Sequence, residues 1–235
     1  MHLATLVTNT DDSAFARAHP LDDAKFATLI AETRPGWRCT AFWVCRDEFP
    51  AGLDGFDGVM ITGSPASVLD PAPWIARLEA LVRRLIADRV PLFGACFGHQ
   101  VIARALGAEI RRNPDGWAHG LIPMTRAARL PWSGPQDALS LYGSHLEQVR
   151  DLPPGARVTW TGPGCPIAGF HLDRHVMTVQ HHPEMTHDFI TALVHEYAPA
   201  LGPQVTGAAR ASLAAGRADR AAFAEEIARF FEGAG

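Results

Sequence analysis

The sequence predicts an α/β fold: a doubly wound, mostly parallel sheet with helices on both faces, a small antiparallel section and a helical C-terminal extension. Three observations predict it. Strand-like and helix-like patterns alternate through roughly the first hundred residues. The strand-like segments are apolar throughout rather than alternating, the pattern of parallel strands buried on both faces. From about residue 108 to 180 the pattern changes to shorter strands separated by turns, and after Pro183 it becomes helical. With 235 residues, 47% of them hydrophobic, the chain can bury a full core. Its length fits one domain over residues 1–198 and a helical extension over 199–235 rather than two independent halves.

The first strand is the apolar run Leu3 to Val7, stopped by the turn formers Thr8 to Asp12. Asp22 and Asp23 open a helix whose inward face is Phe26, Leu29 and Ile30, closed by Pro35-Gly36. Trp37 to Cys45, aromatic and β-branched, reads as the second strand, and Phe56 to Thr62, stopped by Gly63-Ser64-Pro65, as the third. Pro73 suits the first turn of a helix that buries Ile75, Leu78, Leu81, Val82 and Ile86. Val90 to Ala95 is a further apolar strand, followed by a helix from Gly98 to Leu106 that ends at Gly107. Shorter strands are expected over Ser140 to Ser144, Ala156 to Trp160, Ile167 to His171 and His175 to Gln180, with a hairpin tip at Asp173-Arg174. Helices are expected over Phe189 to Tyr197 and Arg220 to Phe231. In such a sheet, ligands bind at the C-terminal ends of the parallel strands.

Several classes are excluded. The balance of 21 basic against 25 acidic residues, a net charge of −4, leaves no basic stripe for nucleic acid. Arg83, Arg84, Asp88 and Arg89 interrupt the longest apolar candidate for a membrane span, and the N-terminus has no basic leader, so a cytoplasmic protein is expected. Cys39, Cys45, Cys96 and Cys165 form no CxxC pair, which argues against a disulfide framework or zinc ribbon. His171, His175, His187 and His195 fit no metal-ligand spacing, and the loop Gly162 to Pro166 lacks the Lys and Ser/Thr of a phosphate-binding loop. No metal or other cofactor is expected.

The chemistry concentrates at Gly94-Ala95-Cys96-Phe97-Gly98, where a buried strand meets a helix. Small residues two before and two after the cysteine permit a sharp turn that lifts the thiol out of the sheet, the logic of a nucleophile elbow with sulfur in place of oxygen. A helix N-terminus favours the thiolate. Taken alone, the pattern fits a reactive thiol and a buried structural one about equally. A thiolate nucleophile needs a base and an orienting group. In Gln180-His181-His182-Pro183-Glu184, the side chains of His182 and Glu184 fall on one side of extended backbone, so the carboxylate can hold the imidazole while its other nitrogen faces the thiol. His181 then faces the opposite side, and His99 and Cys165 are read as structural.

GACFGHQ followed by VQHHPEM resembles the triad signature of class I glutamine amidotransferases, most closely the stand-alone relatives of the amidotransferase domain of GMP synthase. ITGSPASV resembles the family's glycine-rich oxyanion strand, although Gly63-Ser64 stands where paired glycines are usual, and YGSHLEQV resembles its Ser-His substrate segment. The resemblance implies a flavodoxin-like fold with Cys96 as nucleophile, His182 as general base and acid, and Glu184 as its orienter. It implies an oxyanion hole from the backbone N–H of Phe97 and of Gly63 or Ser64, and substrate binding by Gln100, Ser144 and His145. The implied reaction cleaves the γ-carboxamide of glutamine through a γ-glutamyl thioester, releasing ammonia. The alternatives are a stand-alone γ-glutamyl peptide hydrolase and a non-catalytic regulatory relative. The roughly 50 residues after Glu184 are few for an ATP-binding domain. The expected partners are therefore glutamine or another γ-glutamyl compound and, for ammonia transfer, a separate synthetase subunit.

Overall fold

The computed structural model describes residues 1–234. The chain begins β1 (His2–Leu6), α1 (Ala14–Arg17), α2 (Asp22–Thr33), β2 (Arg38–Phe42), β3 (Gly58–Ile61), α3 (Pro73–Ala87), β4 (Leu92–Ala95) and α4 (Phe97–Ala105). It continues β5 (Ile110–Arg112), β6 (Ala118–Arg126), β7 (Ala138–His145), β8 (Glu147–Val149), β9 (Arg157–Gly162), β10 (Cys165–Leu172) and β11 (Val176–Val179). It ends with α5 (His187–Ala215) and α6 (Arg220–Gly233).

Half of the main sheet has the order β2-β1-β3-β4-β11, each neighbouring pair parallel. This is the flavodoxin-like order, with its switch point beside β1 and β3. Every residue of β3, β4 and β11 is buried, which accounts for the unbroken apolar character of β3 and β4, while β11 carries the hydrogen-bonded Thr178. Past β11 the sheet continues antiparallel through β10, β9, β6 and β7, while β5 and β8 form a separate two-stranded ribbon. β11 is the junction, parallel to β4 on one edge and antiparallel to β10 on the other.

Local details differ from the sequence reading. The second strand stops at Phe42, and Val44–Arg46 forms a 3-10 turn. Leu85 rather than Ile86 completes the buried stripe of α3. The nine-residue β6 has no counterpart among the expected strands, because Gly120 and Pro123 interrupt its pattern. Cys165 begins β10 rather than lying in a turn. α5 is much longer than the span Phe189 to Tyr197; it bends at Gly202, whose φ of 78° and ψ of 171° break the helix between Pro199 and Pro203.

α3 and α4 cover one face of the sheet, and α2 and α6 the other. On α6, Phe223, Ile227, Phe230 and Phe231 join a core with Leu3, Phe26, Phe93 and Trp160. Each such side chain contributes about 1.5–3 kcal/mol when fully buried, so the last helix is part of the central core. An ion pair locks it there: Arg126 Nη2 meets Glu226 Oε1 at 2.5 Å, both side chains 2% exposed, and the same oxygen accepts from the Gly134 N–H at 2.8 Å. α5 covers β6 and β7 through Ile190, Leu193, Val194 and Leu213, packed around Tyr142.

Candidate active site

The ends of β3, β4 and β11 converge on Cys96, between β4 and α4. Cys96 has φ 52° and ψ −103°, a region L residues rarely occupy. Its N–H donates to the Val179 carbonyl at 2.9 Å, and its carbonyl accepts from the Gln100 N–H at 3.0 Å. The turn requires glycine on both sides. A Cβ on Gly94 would lie 2.6 Å from the Gly98 carbonyl carbon, and one on Gly98 would lie 2.5 Å from the Ile61 carbonyl oxygen. The helix can start this close to β3 and β4 only because those positions are empty.

His182 follows β11 and is tied to β7, its N–H donating to the Tyr142 carbonyl at 2.8 Å. Its Nδ1 lies 2.7 Å from Glu184 Oε1, the ring 5% and the carboxylate residue 2% exposed. With Nδ1–H donated to the carboxylate, Nε2 is left for the thiol side. A Cβ on Gly63 would stand 2.7 Å from the His182 ring and 3.6 Å from Cys96 Cβ, which places the three residues around one point. Burial works against a charged imidazole here, but the Glu184 carboxylate and the neighbouring Cys96 sulfur outweigh it and hold His182 well above the ordinary histidine value.

Gly63 and Ser64 line the same cavity as Cys96. The Gly63 carbonyl accepts from Thr8 Oγ1 at 2.9 Å and from Thr62 Oγ1 at 3.1 Å, and Thr8 Oγ1 also lies 3.0 Å from the Thr62 carbonyl. A trans peptide sets N–H opposite C=O, so the Ser64 N–H points away from the buried Thr8. Among the described residues no acceptor takes the N–H of Gly63, Ser64 or Phe97. A strand end with free donors therefore faces a helix N-terminus with one more.

Gln100, Ser144 and His145 also line the cavity. Gln100 Nε2 donates to the Glu147 carbonyl at 2.7 Å and to Gln180 Oε1 at 3.3 Å. His145 Nδ1–H donates to the Glu147 carbonyl at 3.2 Å; burial, followed by the nearby His182, lowers its pKa to about 4, so it is a neutral ring. The Glu147 carboxylate accepts from Ser67 Oγ at 2.7 Å and lines the cavity as well. Gln148 is fully buried away from it, with neither amide atom partnered.

The histidines read as structural lie off the cavity. His99 is fully buried, its Nδ1 2.9 Å from Thr178 Oγ1, and burial lowers it to about 3. His181 packs against His145 with ring centres 5.3 Å apart. Burial pushes the Cys165 thiol up to about 12. Among the described residues there is no cluster of His, Cys, Asp and Glu that could hold a metal, and no helix is long and apolar enough to cross a membrane.

Two contributors escaped the sequence reading. Gln180 Nε2 points at Cys96 Sγ from 3.8 Å and links the sulfur to Gln100. Its signal was available: Gln180, His182 and Glu184 recur every second residue, the spacing that puts side chains on one side of extended backbone. Thr8, in the turn after β1, carried no signal for its contact with Gly63. The whole arrangement offers a cysteine sulfur, an imidazole held by a carboxylate, and free N–H donors, which together suit acyl transfer at a carboxamide.

The profile of the family described as glutamine amidotransferase class-I matches residues 36–192. Gamma-glutamyl peptidase 3 of Arabidopsis thaliana is 28% identical over 183 residues, 72% of this chain and 71% of that protein. The glutamine-hydrolysing GMP synthase of Herminiimonas arsenicoxydans is 32% identical over 153 residues, 60% of this chain but 27% of that much longer protein. Relatives with provisional glutamine amidotransferase names from Schizosaccharomyces pombe and Saccharomyces cerevisiae are 28% and 34% identical over 71% and 63% of this chain; the matches span 66% and 62% of those proteins. The chain thus spans slightly under two thirds of the length of these two relatives. A solved glutamine amidotransferase from Thermotoga maritima shares the fold, with a TM-score of 0.77 at 16% identity and 98% of each chain covered.

Proposed function

The chain belongs to the glutamine amidotransferase class-I family, and from that premise we propose that it is a cysteine hydrolase of the γ-glutamyl C–N amide bond, with glutamine as the simplest substrate. The observation that carries this reading is the meeting of Cys96, His182 and Glu184 in one cavity, with Nδ1 and Oε1 2.7 Å apart.

In this reading the Cys96 thiolate attacks the γ-carbonyl carbon, and the carbonyl electrons move onto oxygen. The N–H groups of Phe97 and Ser64 meet that oxyanion, Ser64 being aimed by the hold of Thr8 on the Gly63 carbonyl. Such a donor is worth about 100- to 1000-fold in rate. The raised pKa of His182 leaves it holding the proton that the departing nitrogen needs. The C–N bond breaks, ammonia or an amine leaves, and Cys96 is left as a γ-glutamyl thioester. His182, now neutral, takes a proton from water as the water attacks; the C–S bond breaks, glutamate leaves and the thiolate–imidazolium pair is restored. Glu184 fixes the imidazole throughout without itself taking the proton. At the other end, Glu147 is the carboxylate available to the substrate ammonium, and Gln100, Ser144 and His145 line its path.

The test is glutamate release from glutamine and from γ-glutamyl peptides by wild type and Cys96→Ala. Turnover abolished by the substitution supports the reading. No turnover of any γ-glutamyl compound by wild type, or turnover that survives Cys96→Ala, refutes it.

A further inference from the structure

The cavity above Cys96 has a volume of about 470 Å³. Pockets of about 300–1,000 Å³ enclose drug-sized molecules, and glutamine, whose leaving group is ammonia, is far smaller. The cavity wall is mostly apolar, although Asn9, Asp11 and Lys25 also line it. His182 must reach the departing nitrogen, so the leaving amine lies on the side of His182 and Glu184. From Glu184 the chain passes through Met185 into α5, which places Phe189, Leu193 and Tyr197 on the cavity wall.

Other segments complete this wall with aromatic rings. Phe15, on the four-residue α1, lies 5.9 Å from Phe189 between ring centres and 4.5 Å from His19. Trp43 comes from the turn after β2. All three rings are half-buried, one part packed and another facing the cavity. Ammonia would use none of this surface. The charges at this end are also distinctive. Lys25 stands 3.6 Å over the Phe189 ring and is neutralised by Asp22 at 2.8 Å. Arg46 is exposed at the rim, stacked on Trp43 at 4.3 Å, and has no carboxylate partner among the described residues. Arginine is suited to grip a carboxylate.

We propose that the substrate is a γ-glutamyl dipeptide whose second residue has a large apolar side chain, γ-glutamyl-phenylalanine being the type. The side chain is received by Phe15, Trp43 and Phe189, and the terminal carboxylate by Arg46. This rests on the hydrolase reading above and names its leaving group. The bond broken joins the γ-carbonyl carbon to the nitrogen of the second amino acid. That nitrogen leaves with the His182 proton, water opens the thioester, and the products are glutamate and the free apolar amino acid.

The experiment compares kcat/KM of the wild-type protein on γ-glutamyl-phenylalanine, γ-glutamyl-glycine, glutamine and γ-glutamyl-phenethylamide, which keeps the ring but lacks the carboxylate. A hydrophobic pocket separates substrates by at least about tenfold for even small apolar increments, so γ-glutamyl-phenylalanine should exceed γ-glutamyl-glycine and glutamine by about tenfold or more. It should also exceed the phenethylamide. Phe189→Ala should narrow the first gap and Arg46→Gln the second, and the wild-type ratios stand even if a variant fails to fold. Glutamine or γ-glutamyl-glycine turned over as fast as γ-glutamyl-phenylalanine overturns the proposal while the hydrolase reading stands. Equal turnover of the phenethylamide overturns the role of Arg46. Turnover of none of the four overturns the hydrolase reading itself.

Discussion

Replacing Glu184 with glutamine removes the buried carboxylate that holds the His182 ring. The carboxylate is 2% exposed, and its Oε1 lies 2.7 Å from His182 Nδ1. A hydrogen bond to a charged group is worth about 1.5–3 kcal/mol, so weaker support of the imidazolium alone should slow the reaction by roughly 10- to 150-fold. A glutamine amide can also turn its NH₂ toward Nδ1 and move the ring proton to the thiol side. In another triad, a neutral amide that selects the wrong tautomer costs about 10⁴-fold. Glu184→Gln should therefore lower kcat by about 10²- to 10⁴-fold. The assay is glutamate release on the best γ-glutamyl substrate, with far-UV circular dichroism to confirm the fold. A folded variant within about threefold of wild type would refute the assignment of His182 and Glu184 as one unit.

The same pair has a pH signature: His182 is raised in the fold, so its bound proton stabilises the native state fully below the ordinary histidine value of about 6.5, and that contribution is lost as pH rises through the raised value. The Tm gap between wild type and Glu184→Gln should accordingly be widest below about pH 6.5 and shrink toward alkaline pH; a gap that widens with pH contradicts this. Thr8→Val removes one of two hydroxyls that hold the Gly63 carbonyl and should reduce kcat by about tenfold with little change in KM, the mark of an oxyanion donor loosened but not removed; an effect on KM alone would place Thr8 outside that role. Glu226→Ala leaves Arg126 buried without its partner and should cost about 3–5 kcal/mol in urea unfolding, whereas a loss under about 1 kcal/mol would show that α6 is not locked by this pair.

Much of the fold was legible because burial on both faces leaves its mark on each parallel strand separately. β1, β3 and β4 read as apolar runs, and α2 and α3 as striped helices, before any pairing was known, whereas β11 read only as one of the short strands between turns and its parallel pairing with β4 was not visible. β6 escaped because its interruptions hide the alternation, and α5 because its prolines and Gly202 mimic a chain break. The site was legible for a similar reason. Glycines around Cys96 and the two-residue spacing of His182 and Glu184 are local consequences of a tight turn and of extended backbone, so the sequence pointed to Cys96, His182 and Glu184, and the resemblance to the amidotransferase motifs gave them their roles. Gln180 shares that spacing but carries no charge to draw attention.

By itself, then, the sequence determined most element types, the sharp turn at Cys96 and the chemical character of the candidate site groups, since each depends on backbone conformation and burial over a few neighbouring residues. Tertiary structure alone decided that β11 pairs with β4, which brings His182 to the thiol, and that Thr8 reaches the Gly63 carbonyl across 55 positions of sequence. It also decided that α6 returns to the core beside β1, and that Phe15, Trp43 and Phe189 share one wall. These contacts join segments whose local patterns do not refer to one another. They are chosen by the crossovers of the sheet and by the apolar surface that remains to be covered once it has formed.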